Sequence, residues 1–273
     1  MTHSSFDKNG TSFRENPWAL YDQMIAEIPE GIAVLDYCLG VHWSYVEADC
    51  GMGVAFTCSG GAKRTTTQDL RQLSLKELAA LSKSWCFEEA TLGVAALNAW
   101  FSQPAQLKRF DVFLDEAINL PDETVRKMDA FELYRPRTQG TKVAVVGHFP
   151  HVERIAEYAL ELTVLERNCR SELDTPDPAC EYLLPSQDFV FLTGVTLINK
   201  TAPRLLELSR KATTVFVGPS VIPCAPLFEC GVEMLAGSVV ADPEKIKRAV
   251  KNGTGKMFGE ALQMASVTLP KNN

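Results

Sequence analysis

The stretch Lys142-Val143-Ala144-Val145-Val146-Gly147-His148-Phe149-Pro150-His151 constrains the fold of this chain more than any other. Residues 143–146 are apolar and mostly β-branched, the pattern of a strand buried on both faces of a parallel sheet. Gly147 breaks that run. Pro150 suits the mouth of a helix, where its missing N–H is not needed, and residues 152–160 read as that helix. Strand, loop and helix in this order open α/β domains, whose ligands sit beyond the carboxyl ends of the strands.

The rest of the second half continues the alternation. Strands are expected at 142–146, 161–166, 188–193, 213–217 and 233–239, with helices near 152–160, 179–184, 201–211, 225–230 and 243–251. A last amphipathic helix over 254–265 would start at Thr254 as N-cap. Alternation of this kind implies a parallel sheet with right-handed crossovers. Its strand ends carry Gly147-His148-Phe149-Pro150, Glu166-Arg167-Asn168, Thr193-Gly194-Val195-Thr196 and Gly218-Pro219-Ser220. Polar, glycine and proline residues thus gather at one edge, the layout of a Rossmann-like binding edge.

The chemistry of that edge is less defined than its position. The first turn lacks Gly-x-Gly-x-x-Gly, so the amide cradle for a dinucleotide is missing. Glu166 stands nineteen residues after Gly147, where an acidic residue would grip a ribose hydroxyl, which leaves room for another hydroxylated ligand. His148-x-x-His151 has spacing that would ligate a metal if both rings faced one way, but Pro150 lies between them. The alternative is a His148 that caps or touches a ligand beside a surface His151. Cys224 and Cys230 are either soft ligands or thiols packed around a short helix. Thr193, Thr196, Asn199 and Thr201 surround the third turn, where Asn199 is either an N-cap or a ligand contact. No Gly-x-Ser-x-Gly elbow surrounds Ser220, so the pattern of a hydrolase triad is missing.

The first half has a different period. Asn16 and Pro17 open a helix whose apolar side includes Trp18, Leu20, Tyr21, Met24, Ile25 and Ile28. Short strand-like runs at 32–37, 42–46 and 54–58 form an antiparallel meander, separated by Gly40 and by Gly51-Met52-Gly53. Gly60-Gly61-Ala62-Lys63-Arg64 is a loop with two adjacent cations, either solvated or holding an anion. Ser74-Leu75-Lys76-Glu77 is a capping box that starts a helix through about Lys83. A second helix over 86–101 is apolar almost all round and should be buried. Glu89 and Asn98 lie within it, and a buried carboxylate needs a partner. Glu89 either touches ligand at the domain boundary or is exposed or paired internally. Residues 102–141, with short helical pieces at 111–119 and 122–133, read as the link between domains.

At 273 residues two domains are expected, over 1–115 and 116–273. The formal charge of −7 favours neither nucleic acid nor an anionic membrane as partner. Residues 1–15 lack the apolar core of a signal peptide, and no run reaches the roughly 18–20 apolar residues of a membrane span. A cytoplasmic location follows as an expectation, and eight scattered cysteines without a Cys-x-x-Cys pair agree with it. A homodimer is the default expectation for the assembly.

Several blocks resemble one family. They are Val145-Val146-Gly147-His148-Phe149-Pro150, Leu192-Thr193-Gly194-Val195-Thr196-Leu197-Ile198-Asn199-Lys200-Thr201, Val217-Gly218-Pro219-Ser220 and Gly231-Val232-Glu233-Met234-Leu235-Ala236-Gly237. Gly51-Met52-Gly53-Val54-Ala55 and the stretch from Glu89 to Ala99 are similar to its other blocks. Together they resemble an uncharacterised bacterial and archaeal family labelled "putative heavy-metal chelation" proteins. The resemblance implies an enolase N-terminal-like α+β domain followed by a Rossmann-like α/β domain, with a site in the cleft between them. One departure is Val221, where the family often has a threonine, so any hydroxyl contact from that position is in doubt.

The expectation is therefore a protein that binds a transition metal, or a metal-chelating small molecule, in the interdomain cleft. Glu89 would be a carboxylate ligand or general base, and His148 a ligand or proton shuttle, with His151 as its metal-binding companion. Gly147, Phe149, Pro150, Glu166, Thr193, Thr196, Asn199, Gly218, Pro219 and Ser220 would line the organic part. The alternatives are an enzyme using a nucleotide-type cofactor, for example in methyl transfer, and a non-catalytic sensor or carrier.

Overall fold

The computed structural model describes residues 16–114, 117–119, 125–127, 129–255 and 257–270. Its first unit begins with helix α1 (Ala19–Ala26), whose approach is set by the Asn16 side chain accepting from the Trp18 amide at 3.1 Å. Strands β1 (Val34–Leu39), β2 (Trp43–Ala48) and β3 (Gly51–Phe56) follow as the predicted antiparallel meander. Gly51-Met52-Gly53 lies inside β3 rather than ahead of it. The reason is packing: a Cβ on Gly53 would fall 2.2 Å from the carbonyl of Ala95, so the bare glycine lets the sheet touch a helix backbone.

That helix is α3 (Phe87–Phe101), preceded by α2 (Leu75–Ala80) with its capping box closed in both directions. It is buried along nearly its whole length, as its apolar circumference predicts. The meander is covered on both sides. Val46, Ala48 and Ala55 face α3, while Tyr45, Met52 and Val54 pack on Ile246, Ala249 and Val250 of helix α10 (Pro243–Lys251). A helix from near the end of the chain thus closes the first unit.

A short helix α4 (Pro104–Leu107) leads into strands β4 (Asp111–Leu114), β5 (Ala117–Asn119) and β6 (Val125–Lys127), and then helix α5 (Ala130–Thr138). The sequence predicts helical pieces at 111–119 and 122–133; among the described residues the first is strand, and helix begins only at Ala130. Strand β4, ahead of the boundary expected at 115, already belongs to the large sheet.

The large sheet contains β7 (Lys142–Val146), β8 (Glu161–Glu166), β9 (Asp174–Pro176), β10 (Phe189–Thr193), β11 (Thr213–Val217), β12 (Val232–Val240) and β13 (Leu262–Thr268). Its order is β4-β13-β12-β11-β10-β7-β8-β9, with β7 to β12 parallel and β13 and β4 antiparallel. The fold is therefore mixed α/β. The expected last helix over 254–265 is a correction: its end is strand β13, paired on both sides by β12 and β4, with Leu262, Ala265, Ser266 and Val267 buried. The crossovers carry α6 (Cys180–Leu183), α7 (Val195–Ile198), α8 (Ala202–Leu208) and α9 (Ala225–Glu229). The segment after Pro150 is a 3-10 turn, Val152–Glu157, rather than an α-helix, and it starts from a left-handed His151.

Alternate residues of the central strands face opposite ways. Val143, Val145, Phe191 and Val217 pack under α5 with Tyr134, whereas Ala144, Val146, Leu192 and Phe216 join the core shared with α3. The first unit thus lies against one face of the sheet. Buried hydrogen bonds fasten it there. Tyr21 donates to the carbonyl of Leu197 at 2.8 Å, and Asn98 Nδ2 donates to the carbonyls of Val54 and Pro219 at 3.0 and 3.3 Å. Among the described residues no helix is long and apolar enough to cross a membrane.

Candidate functional site

The strand order reverses between β7 and β10, the point in a doubly wound sheet where a crevice opens beyond the carboxyl ends. Gly147 leaves β7 there with φ +100°, and a Cβ on it would lie 3.0 Å from Cγ2 of Thr193. The Phe149 ring covers the crevice. Its Cε2 and Cε1 lie 3.7 Å from the Cβ positions of Gly147 and Gly218, and it packs edge-on to Phe131 of α5 at 5.5 Å between centroids. A phenyl ring thus occupies the space where a glycine-rich turn would cradle phosphates.

His148 turns the other way, over β8 toward β9. Its Nδ1 lies 2.6 Å from Oδ1 of Asp174. Asp174 Oδ2 accepts from the amides of Arg170 and Ser171 at 2.8 and 2.9 Å, and its side chain is only 1% exposed. These amides, Arg170 first, and the His148 ring hold the Asp174 carboxyl below its usual range. An ionised carboxylate has no proton to give, so Nδ1 carries the hydrogen and Nε2 is left for other partners. The His148 side chain is 36% exposed. The main chain is braced as well: Glu166 accepts from the His148 amide at 3.0 Å through one oxygen and from the Asn168 amide at 3.0 Å through the other. Glu166 is thus a support of the loop, the role that supplants the ribose contact its spacing predicts.

The two histidines have different partners. His151 is in the left-handed region at φ 64°, 66% exposed at its side chain, and 3.7 Å from Glu153. Pro150 is exposed beside it. Among the described residues no group of three or more His, Cys, Asp or Glu is placed to hold a metal ion. Cys224 is fully buried and its thiol is pushed up by burial, so it does not act as a soft ligand at the edge.

Glu89 is the second correction. It is 2% exposed and its carboxylate accepts from the Thr65 and Thr66 amides at 2.7 Å each, from the Thr66 hydroxyl at 2.8 Å and from Ser84 Oγ at 2.6 Å. Burial alone would push the carboxyl up, but the hydrogen bonds from Ser84 and the 65–66 turn outweigh it and pull it down to about 2. A group so strongly ionised and enclosed is a poor general base at neutral pH. Its hydrogen-bond partners all belong to the first unit and those of His148 all to the second.

The remaining predicted residues divide between local turns and fastenings. Thr193 Oγ1 accepts from the Val195 amide at 3.4 Å, and buried Thr196 donates to the Thr193 carbonyl at 2.7 Å. Asn199 Oδ1 accepts from the amide and hydroxyl of Thr201 at 3.1 and 2.7 Å, a local turn ahead of α8, whose N-cap is Thr201 rather than Asn199. Ser220 is 2% exposed and its Oγ accepts from the Phe56 amide at 2.8 Å, while the Pro219 carbonyl takes Asn98. Pro219 and Ser220 therefore join the two units, with the Ser220 hydroxyl buried against β3.

What faces the first unit across the sheet edge is Lys200 and Arg167. Lys200 has φ 67° and its Nζ lies 5.9 and 5.6 Å from the ring centroids of Trp85 and Phe87. Burial lowers its amine to about 8. Arg167 pairs with Asp177 at 2.8 Å through Nε. Both cations act on Cys58, whose thiol burial nevertheless pushes up to about 11. Lys200, Arg167 and Asp174 were not legible as site residues, because a left-handed lysine and a buried aspartate on a three-residue strand leave no periodic signal.

Residues 129–266 match the family DUF364 and residues 21–101 match DUF4213, both described as "Putative heavy-metal chelation". An uncharacterized protein of Methanocaldococcus jannaschii is 28% identical over 254 residues, 86% of this chain and 89% of that protein. A crystal structure of a DUF364 protein of unknown function from Desulfitobacterium hafniense superposes with TM-score 0.77 at 32% identity, covering 91% of this chain and 97% of the other. Another, from Pyrococcus horikoshii, gives 0.72 at 26% identity with the same two coverages. Two matched segments, one on each unit, and whole-length likeness to solved members carry one conclusion: this chain belongs to the DUF364 family.

Proposed function

We propose that the protein binds a metal chelate, or the small chelating molecule itself, at the carboxyl edge of the large sheet where the first unit faces it. The observation that carries this reading is the His148–Asp174 pair. A buried carboxylate fixes the ring through Nδ1 and presents Nε2 outward, the arrangement that orients a metal-ligating or proton-accepting imidazole. One imidazole holds a metal weakly by itself, so the other donors would come from the chelator. The family description supports the class of ligand, not its identity.

The test is native mass spectrometry and elemental analysis of freshly purified protein. A bound organic mass, with or without metal, that His148→Ala loses supports the reading. Protein that carries neither, and takes up neither metal nor metal citrate in calorimetry, contradicts it. Glu166 accepts the amides of His148 and Asn168 through its two oxygens, a loop-bracing role that does not depend on a ligand, so the nucleotide-cofactor reading ranks second.

A further inference from the structure

Lys200 is a half-buried cation just past the end of α7. Among the described residues it pairs with no carboxylate, and its one hydrogen bond is to the carbonyl of Ile198 at 2.6 Å, two residues back. Its backbone is in the left-handed region, which costs a lysine about 1 kcal/mol or more. Rings of Trp85 and Phe87 from the first unit hem the ammonium, and Trp85 is 57% exposed, so the position opens to solvent at a rim. The nearby thiols of Cys58 and Cys86 are both raised by burial and stay neutral at pH 7. They supply no counter-charge. A charge that is desolvated, strained and unpaired in the free protein is paired when something else arrives.

We propose that Lys200 binds the anionic group, carboxylate or phosphate, of the molecule taken up in the cleft between the two units. Charge recognition is favoured over nucleophilic attack on a carbonyl. With its amine lowered only to about 8, Lys200 is mostly ammonium at pH 7, and the two rings favour that form as well. Arg167, half occupied by Asp177, stands on the same side as a second cation. In a chain with a formal charge of −7, this local pair of cations selects anionic ligands. The inference rests on the cleft reading but not on a metal or on His148.

Competitive acetylation of the whole protein with acetic anhydride tests it, with peptide mass spectrometry following Lys200 against exposed Lys108. Citrate, oxalate and inorganic phosphate are compared with chloride at matched ionic strength. At saturation, at least one of these anions should slow acetylation of Lys200 by about tenfold or more and leave Lys108 unchanged. Protection by citrate or oxalate alone identifies a carboxylate ligand, and by phosphate alone a phosphate ligand. The same anion should raise Tm in the wild type and in Lys200→Arg but not in Lys200→Met. Absence of selective protection by all three, or a Tm rise that Lys200→Met keeps in full, overturns the proposal. Because labelling reads the wild type without metal, its failure leaves the His148 test standing.

Discussion

The Nδ1 atom of His148 lies 2.6 Å from Oδ1 of Asp174, 26 residues later in the chain and across strand β8. Asp174 accepts at both oxygens, from a ring on one side and two amides on the other. An asparagine accepts at one atom only, so Asp174→Asn keeps the Arg170 and Ser171 amides on its oxygen and turns an N–H toward His148, which must then accept at Nδ1 and carry its hydrogen on Nε2. Loss of the charge-assisted bonds should cost about 1–3 kcal/mol in urea unfolding, and the hydrogen on Nε2 should abolish ligation there. Unchanged stability would show that the pair is not formed in solution.

Glu89→Gln should destabilise by roughly 1–3 kcal/mol, because a neutral amide replaces a carboxylate that takes four short hydrogen bonds. The carboxyl is held at about 2 against an ordinary 4.5, so its stabilisation is complete above pH 4.5 and fades as pH falls toward 2. Wild type and variant should converge in stability over that window. Equal stability of the two at pH 7 would contradict the account of Glu89 as a structural clamp.

Ser220→Ala leaves the Phe56 amide without its acceptor, and Asn98→Ala frees the carbonyls of Val54 and Pro219. Each should cost about 1–3 kcal/mol. Both act on the contact between β3 and the 218–220 turn, so the double variant should cost less than the two single costs added. Strict additivity would show that the two bonds fasten independent surfaces.

Lys200→Met removes a cation that has no carboxylate partner among the described residues, keeps an unbranched side chain one atom shorter, and leaves the left-handed backbone as it is. In the ligand-free protein it should be neutral or stabilising, within about 1 kcal/mol, as expected where stability has been given up for binding. A loss well beyond that in thermal unfolding would make Lys200 a structural residue.

The composition of residues 142–146 and of the later strands made the large sheet legible, because buried parallel strands leave short apolar, β-branched runs closed by glycine or polar residues. The capping box at Ser74 and the buried helix around Glu89 were legible for the same local reason. The gathering of the strand ends at one edge of the sheet was legible too. Roles were not. Glu89 and Ser220 are polar residues at expected places, yet they accept from amides that only the tertiary fold brings near, whereas Asn199 turns back on its neighbour Thr201. Residues 262–268 misled because their apolar spacing fits helix and strand alike until β12 pairs with them. The pairing of His148 with Asp174 required knowing that β8 lies between their strands.

The most direct test of the central claim is native mass spectrometry, with elemental analysis, of untagged protein purified from metal-replete cells without added chelator. The account predicts a bound organic mass, alone or with metal, at one per chain in the wild type and its loss in His148→Ala with the fold intact. Wild-type protein that carries no such mass and binds neither metal nor metal citrate, or a bound mass that His148→Ala retains unchanged, would contradict it.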